Sequence, residues 1–523
     1  MRNRMLGAFA LCAAVFVTSV SVRAGDESPY GEQGWYKDSS NNYHVRGGDA
    51  VALTNLFTVM QVGKIKNRTV FLAAGTYNLS GISMYSGDHL RLTANMSGTK
   101  VVGEEGTTAK DVILKGGGAT DKRRIFNFGQ RMDLKGLTLT GGYASGSGGA
   151  VTKYDTTAAT GSTLFDCIVS NNYATGTGGA IYQVCASNTL FEANSTRGNG
   201  GAVGNSNKLI DCIIRGNAAT NSNSTCGGAV HSGTLIHCEV YDNVASNRGG
   251  ALYSVDGRDN VISNNWSLNR GDFNTVLDAC TISNSVIARN SANGRGAITY
   301  EGTYEGCVFI SNICTRSEGL FRGIFNRCVF KGNYHKASGG AFFNGGNSSG
   351  ATVYNSLIVS NGVAGAASSV GSASNSRFYN CTVVGHQSTT APFGANALLV
   401  NTIIAGSSAF DVKQDNPSTM TNCLWVTQSA DDPIEASKVV DGIWLKGRPV
   451  RFVDPAKGDY RLQRGSKARN AGYQDDAYLA AVGPIDLDKN PRVYEGDGPA
   501  KAIIDIGCYE CQIPAPGLLM LVR

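Results

Sequence analysis

The sequence predicts an all-β chain wound into a parallel β-helix solenoid, and three observations carry that prediction. A short unit, small-x-apolar-x-x-Asn, recurs from Cys167 to Cys423. Its eleven intervals cover 256 residues, 423 minus 167, a mean of about 23 with steps of 20 to 28. Gly, Asn, Ser and Thr are plentiful, with 67 Gly among 523 residues, and only 16% of residues are charged. That composition suits short strands and tight turns. Leucine-rich repeats share the period but need a leucine ladder, and propellers need a period near ~40, which leaves one solenoid coil per unit. Coils stacked at about 4.8 Å spread the eleven intervals over roughly 50 Å.

Taken in order, Arg2 and Arg4 precede an apolar run, Met5 to Val20, and Val22-Arg23-Ala24 reads as a cleavage site, so residues 1–24 are expected to be an export signal. No later window reaches the ~18 apolar residues of a membrane span. The formal charge of +6 falls to about +3 once Arg2, Arg4 and Arg23 are removed, which implies no nucleic-acid partner. Residues 25–70 read as an N-terminal cap region. In it Val51, Leu53, Leu56, Met60 and Val62 stand at helical spacing and predict a short helix closing the first coil. The β-helix body is placed at 71–423.

Parity along the unit sets the core. The third residue of successive units is Val169, Phe191, Ile214, Val240, Ile262, Ile287, Phe309, Phe330, Ile358, Val383 and Ile403, always large and apolar, and is expected to point inward. The small residue two places earlier then faces inward too. Cys, Ser, Thr and Asn interchange there, so the position selects for volume rather than thiol chemistry. Without Cys12 the chain carries thirteen cysteines, an odd number. Buried free thiols and disulfides between neighbouring coils, Cys212 with Cys238 and Cys307 with Cys328, are the two readings. Cys508-x-x-Cys511 has no second pair, so no zinc site is expected.

The closing Asn predicts a structural ladder of stacked amides through Asn172, Asn194, Asn217, Asn243, Asn265, Asn290, Asn312, Asn333 and Asn361, each Asn suited to a tight bend in a left-handed or bridge conformation. Gly-Gly-Ala follows at 178, 200, 227, 249 and 339, giving a second sharp corner with Ala inward. The glycine-rich Asp repeat of calcium rolls is absent. The residue after each small one is mostly apolar although nominally outward (Ile168, Leu190, Ile213, Val261, Val286, Val308, Val329, Leu357). Loops folding over this row, or a bend turning it inward, are expected to cover it.

Phe191-Glu-Ala-Asn194 with Gly200-Gly-Ala-Val203, and Phe330-Lys-Gly-Asn333 with Gly339-Gly-Ala-Phe342, resemble the paired tetrapeptides of polymorphic outer membrane proteins over about residues 137–342. That resemblance implies a right-handed, surface-exposed, adhesin-like β-helix. No terminal β-barrel pattern accompanies it. Phe71-Leu-Ala-Ala-Gly-Thr-Tyr77 and Asp111-Val-Ile-Leu-Lys-Gly-Gly-Gly118 resemble the first coils of pectin lyase-like proteins. Phe452-Val-Asp-Pro455, Asp459-Tyr-Arg-Leu462, Pro484-Ile-Asp486 and Asp505-Ile-Gly-Cys-Tyr-Glu510 resemble the choice-of-anchor Q module, taken as a mixed C-terminal cap over 424–511 and followed by a tail, 512–523. It implies attachment to the cell envelope.

The pectin lyase-like resemblance raises lyase or hydrolase chemistry, which needs clustered carboxylates, with calcium in the lyase case. Glu192 and Arg215 on adjacent coils are the weak catalytic candidates, and a surface ion pair is the simpler account. Asp242 and Lys331 would matter only if folding gathers all four in one groove. Asp475-Asp476, Asp486 and Asp488 suit caps and turns, and the six His are scattered. The expectation is an exported cell-surface rod, adhesin-like or glycan-binding, with no cofactor. The alternative is a polysaccharide lyase or glycoside hydrolase, with calcium expected only in the lyase case.

Overall fold

The computed structural model describes residues 29–82, 89–153, 161–220, 224–268, 274–293, 298–315, 319–336, 342–343, 350–363, 376–386, 393, 397–406, 419–427, 436–494 and 502–512. The expected export signal, the tail beyond Gln512 and the Gly-Gly-Ala copy at 339 lie outside them.

The chain forms a right-handed parallel β-helix, in which coil-to-coil pairing builds a first sheet of 22 strands, a middle sheet of 16 and a third of 10 among the described residues. In the middle sheet the repeat is in strict register. Ile168–Ser170 pairs Leu190–Glu192, which pairs Ile213–Arg215, and the series continues to Leu357–Val359. The third residue of every unit from Val169 to Val383 is fully buried in one continuous core. The cysteines at the small position are buried thiols outside any disulfide, and among the described cysteines only Cys185 and Cys226 are half-buried rather than buried.

Each corner has its own backbone solution. The closing Asn is not itself left-handed. The residue before it is, as at Asn171 (φ 54°), Ala193 (53°) and Asp242 (57°). That residue takes the bend and points outward, which leaves the Asn side chain inside the corner. At the second corner Gly178 is left-handed (φ 76°), and a Cβ on Gly201 would meet the carbonyl oxygen of Gly228 at 2.0 Å. A third row of left-handed residues precedes the small position, at Asp211, His237, Asp259, Asn355, Asn380, Asn401 and Asn422. This row corrects the last copy of the repeat. Asn401 belongs to the bend, Thr402 takes the small position and Ile404, paired with Val383, faces inward, so Ile403 lies on the outer face.

The sheets overrun 71–423 at both ends. Tyr43–Val45 pairs parallel to Thr69–Leu72, and Leu424–Thr427 pairs Ile443–Lys446. The motif has faded there, but Val45 and Trp444 still pack on the core, which is all the pairing requires. The helix Ala50–Val62, capped by Asp49 accepting from the Ala52 amide at 2.9 Å, buries Leu53, Leu56 and Met60. Val51 and Val62, expected on its buried face, are exposed.

Residues 447–494 and 502–512 form a layer on the side of the solenoid. A hairpin (Phe452–Asp454 with Asp459–Leu462) packs over the outer face of the middle sheet, and the helix Asp476–Val482 over that of the first, where Tyr478 and Val482 cluster with Val400, Tyr379 and Leu398. Here Leu357, Ile403 and Leu424 are buried against Val450, Phe452, Leu462 and Ile506. Farther back the same outer row is bare: Ile213 is 38% exposed, Val261 45% and Val286 36%. Among the described residues, no loop buries these three side chains as expected. The C-terminal layer covers the row's last coils instead.

Candidate functional site

The two charged candidates meet. Arg215 Nη2 lies 2.6 Å from Glu192 Oε1, and Nη1 donates to the Tyr241 hydroxyl at 3.2 Å. Both charged side chains are about 40% exposed on the open face of the middle sheet, the setting of an ordinary surface pair. Lys331 occupies the same row five coils on, roughly 24 Å away at the coil spacing. Asp242 sits at a corner and lines a different groove. The four do not converge.

The Asn row is a continuous hydrogen-bonded column. Asn194 donates from its backbone N and from Nδ2 to Asn217 Oδ1 at 2.9 and 3.0 Å. The same pair of bonds links Asn172 to Asn194 and each later member to the next, ending with Asn333 on Asn361. All nine are at most 1% exposed, so the column holds the corner and offers nothing to a ligand. His386 takes the place of the next Asn, buried against Phe342, and burial pulls its pKa down to about 3.

A polar groove lies on the first sheet. From Val203 to Glu305 the two short strands of each coil merge into one of seven or eight residues, Val203–Ile210, Val230–Ile236, Leu252–Arg258, Leu277–Ser283 and Thr299–Glu305. A strand that long must bend to follow the cross-section. It bends at one left-handed residue per coil: Asn205, Ser232, Ser254 and Ala279, in line with Gln183 one coil earlier. Stacked bends make a trough. Gln183, Asn205, Ser206, Ser232, Gly233, Thr234, Ser254, Asp256 and Ala279 line a groove of about 530 Å³, and most present a hydroxyl, amide or carboxylate.

The residue before each bend forms one wall. Along it His231 stacks on Tyr253 with ring centroids 5.1 Å apart, and the Arg248 guanidinium lies 5.3 Å from the Tyr253 ring and 5.4 Å from the Tyr300 ring. Arg322 covers Tyr300 at 4.5 Å. Arg248 fills the level at which the row carries Asp278 and grips that buried carboxylate through two bonds, Nε at 2.8 Å and Nη2 at 2.7 Å. Burial pushes the Asp278 carboxyl up against the pull of Arg248, and burial pulls His231 down. The alternating rings and guanidinium groups make a rigid wall whose polar edges border the groove. His231, one of the six His scattered in the sequence, is part of it. The sequence signal is the residue two places after three of the five Gly-Gly-Ala copies: Tyr182, His231 and Tyr253 stand there, one residue beyond the tetrapeptide, where the copy at 200 has Gly204.

Among the described residues, no three His, Cys, Asp or Glu side chains gather as metal ligands. No family model matches the chain, and no curated protein matches it. Solved structures are similar in fold. The A-module of the mannuronan C-5 epimerase AlgE4 of Azotobacter vinelandii is 12% identical, over 71% of this chain and 96% of that one, with a TM-score of 0.31. A tailspike protein of E. coli bacteriophage HK620, in complex with a pentasaccharide, is 11% identical over 79% and 77%, with a TM-score of 0.37. A mannuronic acid-specific polysaccharide family 6 lyase from human gut microbiota is 11% identical over 77% and 91%, with a TM-score of 0.32.

Proposed function

We propose that this chain is an exported, cell-surface β-helix rod that binds glycans along the groove of the first sheet. The observation that carries the reading is the groove itself: an open trough of hydroxyl, amide and carboxylate groups along stacked coils, bordered by a wall of Tyr, His and Arg. A small apolar ligand would leave these polar groups unpaired, whereas an extended polyhydroxylated chain pairs with them coil after coil. Within the stack Asp278 neutralises Arg248. The resemblance of the Phe-x-x-Asn and Gly-Gly-Ala pairs to polymorphic outer membrane proteins, and of the C-terminal layer to the choice-of-anchor Q module, supports a location at the cell envelope.

The lyase or hydrolase reading ranks second, because Glu192 and Arg215 satisfy each other on an open face away from the groove. The test is retention of the chain on immobilised neutral and acidic polysaccharides, with and without calcium, with products assayed in the same samples. Retention weakened about tenfold by Ser232→Leu with Asp256→Leu and unchanged by Glu192→Gln supports the binding rod. Release of unsaturated or reducing ends that Glu192→Gln abolishes establishes the second reading.

A further inference from the structure

We infer that a second glycan subsite, for a neutral pyranose ring, lies on the opposite corner of the solenoid around Trp266. Asp242, Asn264 and Arg289 occupy the left-handed position of three successive coils (φ 57°, 52° and 52°), so their side chains point outward from one corner at the coil spacing. Beside them the outward row of the third sheet carries Trp266, 40% exposed, and in the next coil Ser291. The small Ser291 leaves one flank of the indole open. Together these residues line a groove of about 460 Å³. Asn293 closes it, with a buried side-chain oxygen that has no hydrogen-bond partner.

The chemistry follows from the parts. An indole flank stacks on the C–H face of a pyranose, and a carboxylate, an amide and a guanidinium around it accept from and donate to ring hydroxyls. Asp242 and Arg289 offset each other in charge, so the ring is neutral rather than a uronate. An apolar partner would strand these polar groups, and the unpartnered Asn293 oxygen calls for a donor, which a hydroxyl supplies.

This subsite rests on the glycan-binding reading but not on the groove of the first sheet, and tryptophan emission separates the two. Of the four tryptophans, Trp35 and Trp425 are buried and Trp444 packs on the core, so a ligand on the surface perturbs Trp266. The whole chain is titrated with cellohexaose, maltohexaose, laminarihexaose and oligogalacturonate. A saturable blue shift with a neutral oligosaccharide, absent in Trp266→Phe and about tenfold weaker in affinity in Asp242→Asn with Arg289→Gln, is expected, and it persists in Ser232→Leu. No shift with any of the four overturns the subsite, as does a shift unchanged by Asp242→Asn with Arg289→Gln. A shift with oligogalacturonate alone overturns the neutral ring. Retention on polysaccharide without a tryptophan response leaves the groove reading standing and removes this one.

Discussion

At the scale of the residue, the fold rests on corner side chains that bond twice. Asn217 shows the logic: its Oδ1 accepts from the Asn194 backbone N and Nδ2, while its Nδ2 donates to the Phe191 carbonyl and to Asn243. Asn217→Ala takes the acceptor from two buried Asn194 donors and a donor from the Phe191 carbonyl and Asn243 Oδ1, and is expected to cost roughly 3 kcal/mol, against a change within about 0.5 kcal/mol for the outward Ser263→Ala, read from denaturant midpoints. The small position works on a related rule. Where it is polar it accepts the amide of the preceding coil, as Asn260 Oδ1 does from Cys238 N at 2.8 Å. Where it is Cys the thiol donates to carbonyls, as Cys307 Sγ does to Ile282 at 3.4 Å. Burial pushes the thiols of Cys167, Cys280, Cys381 and Cys423 up to about 12, so the thiolate is scarce at neutral pH. In the native chain an alkylating reagent is expected to label Cys185 and Cys226 first, with the buried row reacting only after unfolding. Early labelling of Cys167 or Cys381, read by peptide mass, would contradict this.

At the scale of the element, the C-terminal layer is where sequence and structure part most. The inward parity was legible because an apolar residue at every third place of the unit has only one side to go to. The outer row was not, because Leu357, Ile403 and Leu424 look the same in sequence as the bare Val261 and Val286, and only the layer distinguishes them. Its docking code is visible in hindsight: the outward left-handed position is Asn in four successive coils. Asn355 Nδ2 donates to the Val482 carbonyl, Asn380 accepts from the Tyr478 hydroxyl, Asn401 bonds Tyr473, and Asn422 donates to the Ala471 carbonyl. The buried Arg492 joins in, donating to Asn355 Oδ1 at 2.7 Å and to the Gly507 carbonyl at 2.9 Å. Beside it Glu510 is held well above the carboxylate range by burial and by the charge of Asp505, although Arg492 pulls the other way. Asp505 is raised by burial as well. Between the ordinary carboxylate range and these raised values the folded layer binds protons that the unfolded chain has already lost, so its stability falls as pH rises through that window. Limited proteolysis between residues 447 and 494 is expected to be faster at about pH 9 than at about pH 6, and Glu510→Gln should flatten the difference. Equal rates in the unmodified chain would refute the assignment.

At the scale of the whole molecule, the solenoid is a rod with unlike faces: a polar trough with its aromatic wall on the first sheet, an apolar outer row half covered on the middle sheet, and an indole groove at the corner of the third. Each coil contacts its neighbours alone, so the faces tolerate change independently of the core that stacks them. This explains why the site was less legible than the fold. A core position repeats its character in every coil, whereas the groove needs Ser232, Ser254 and Asp256 in particular coils and nowhere else. Glu192 and Arg215 stood out because charge is rare in this chain, yet an ion pair that closes on itself leaves neither group for a ligand. The most direct test of the glycan-binding reading is amide hydrogen exchange of the whole chain with and without a retained polysaccharide. Protection is expected at 203–206, 230–234 and 252–256, and exchange should be unchanged around Glu192 and Arg215. Protection centred on Glu192 and Arg215, with the groove unaffected, would contradict it.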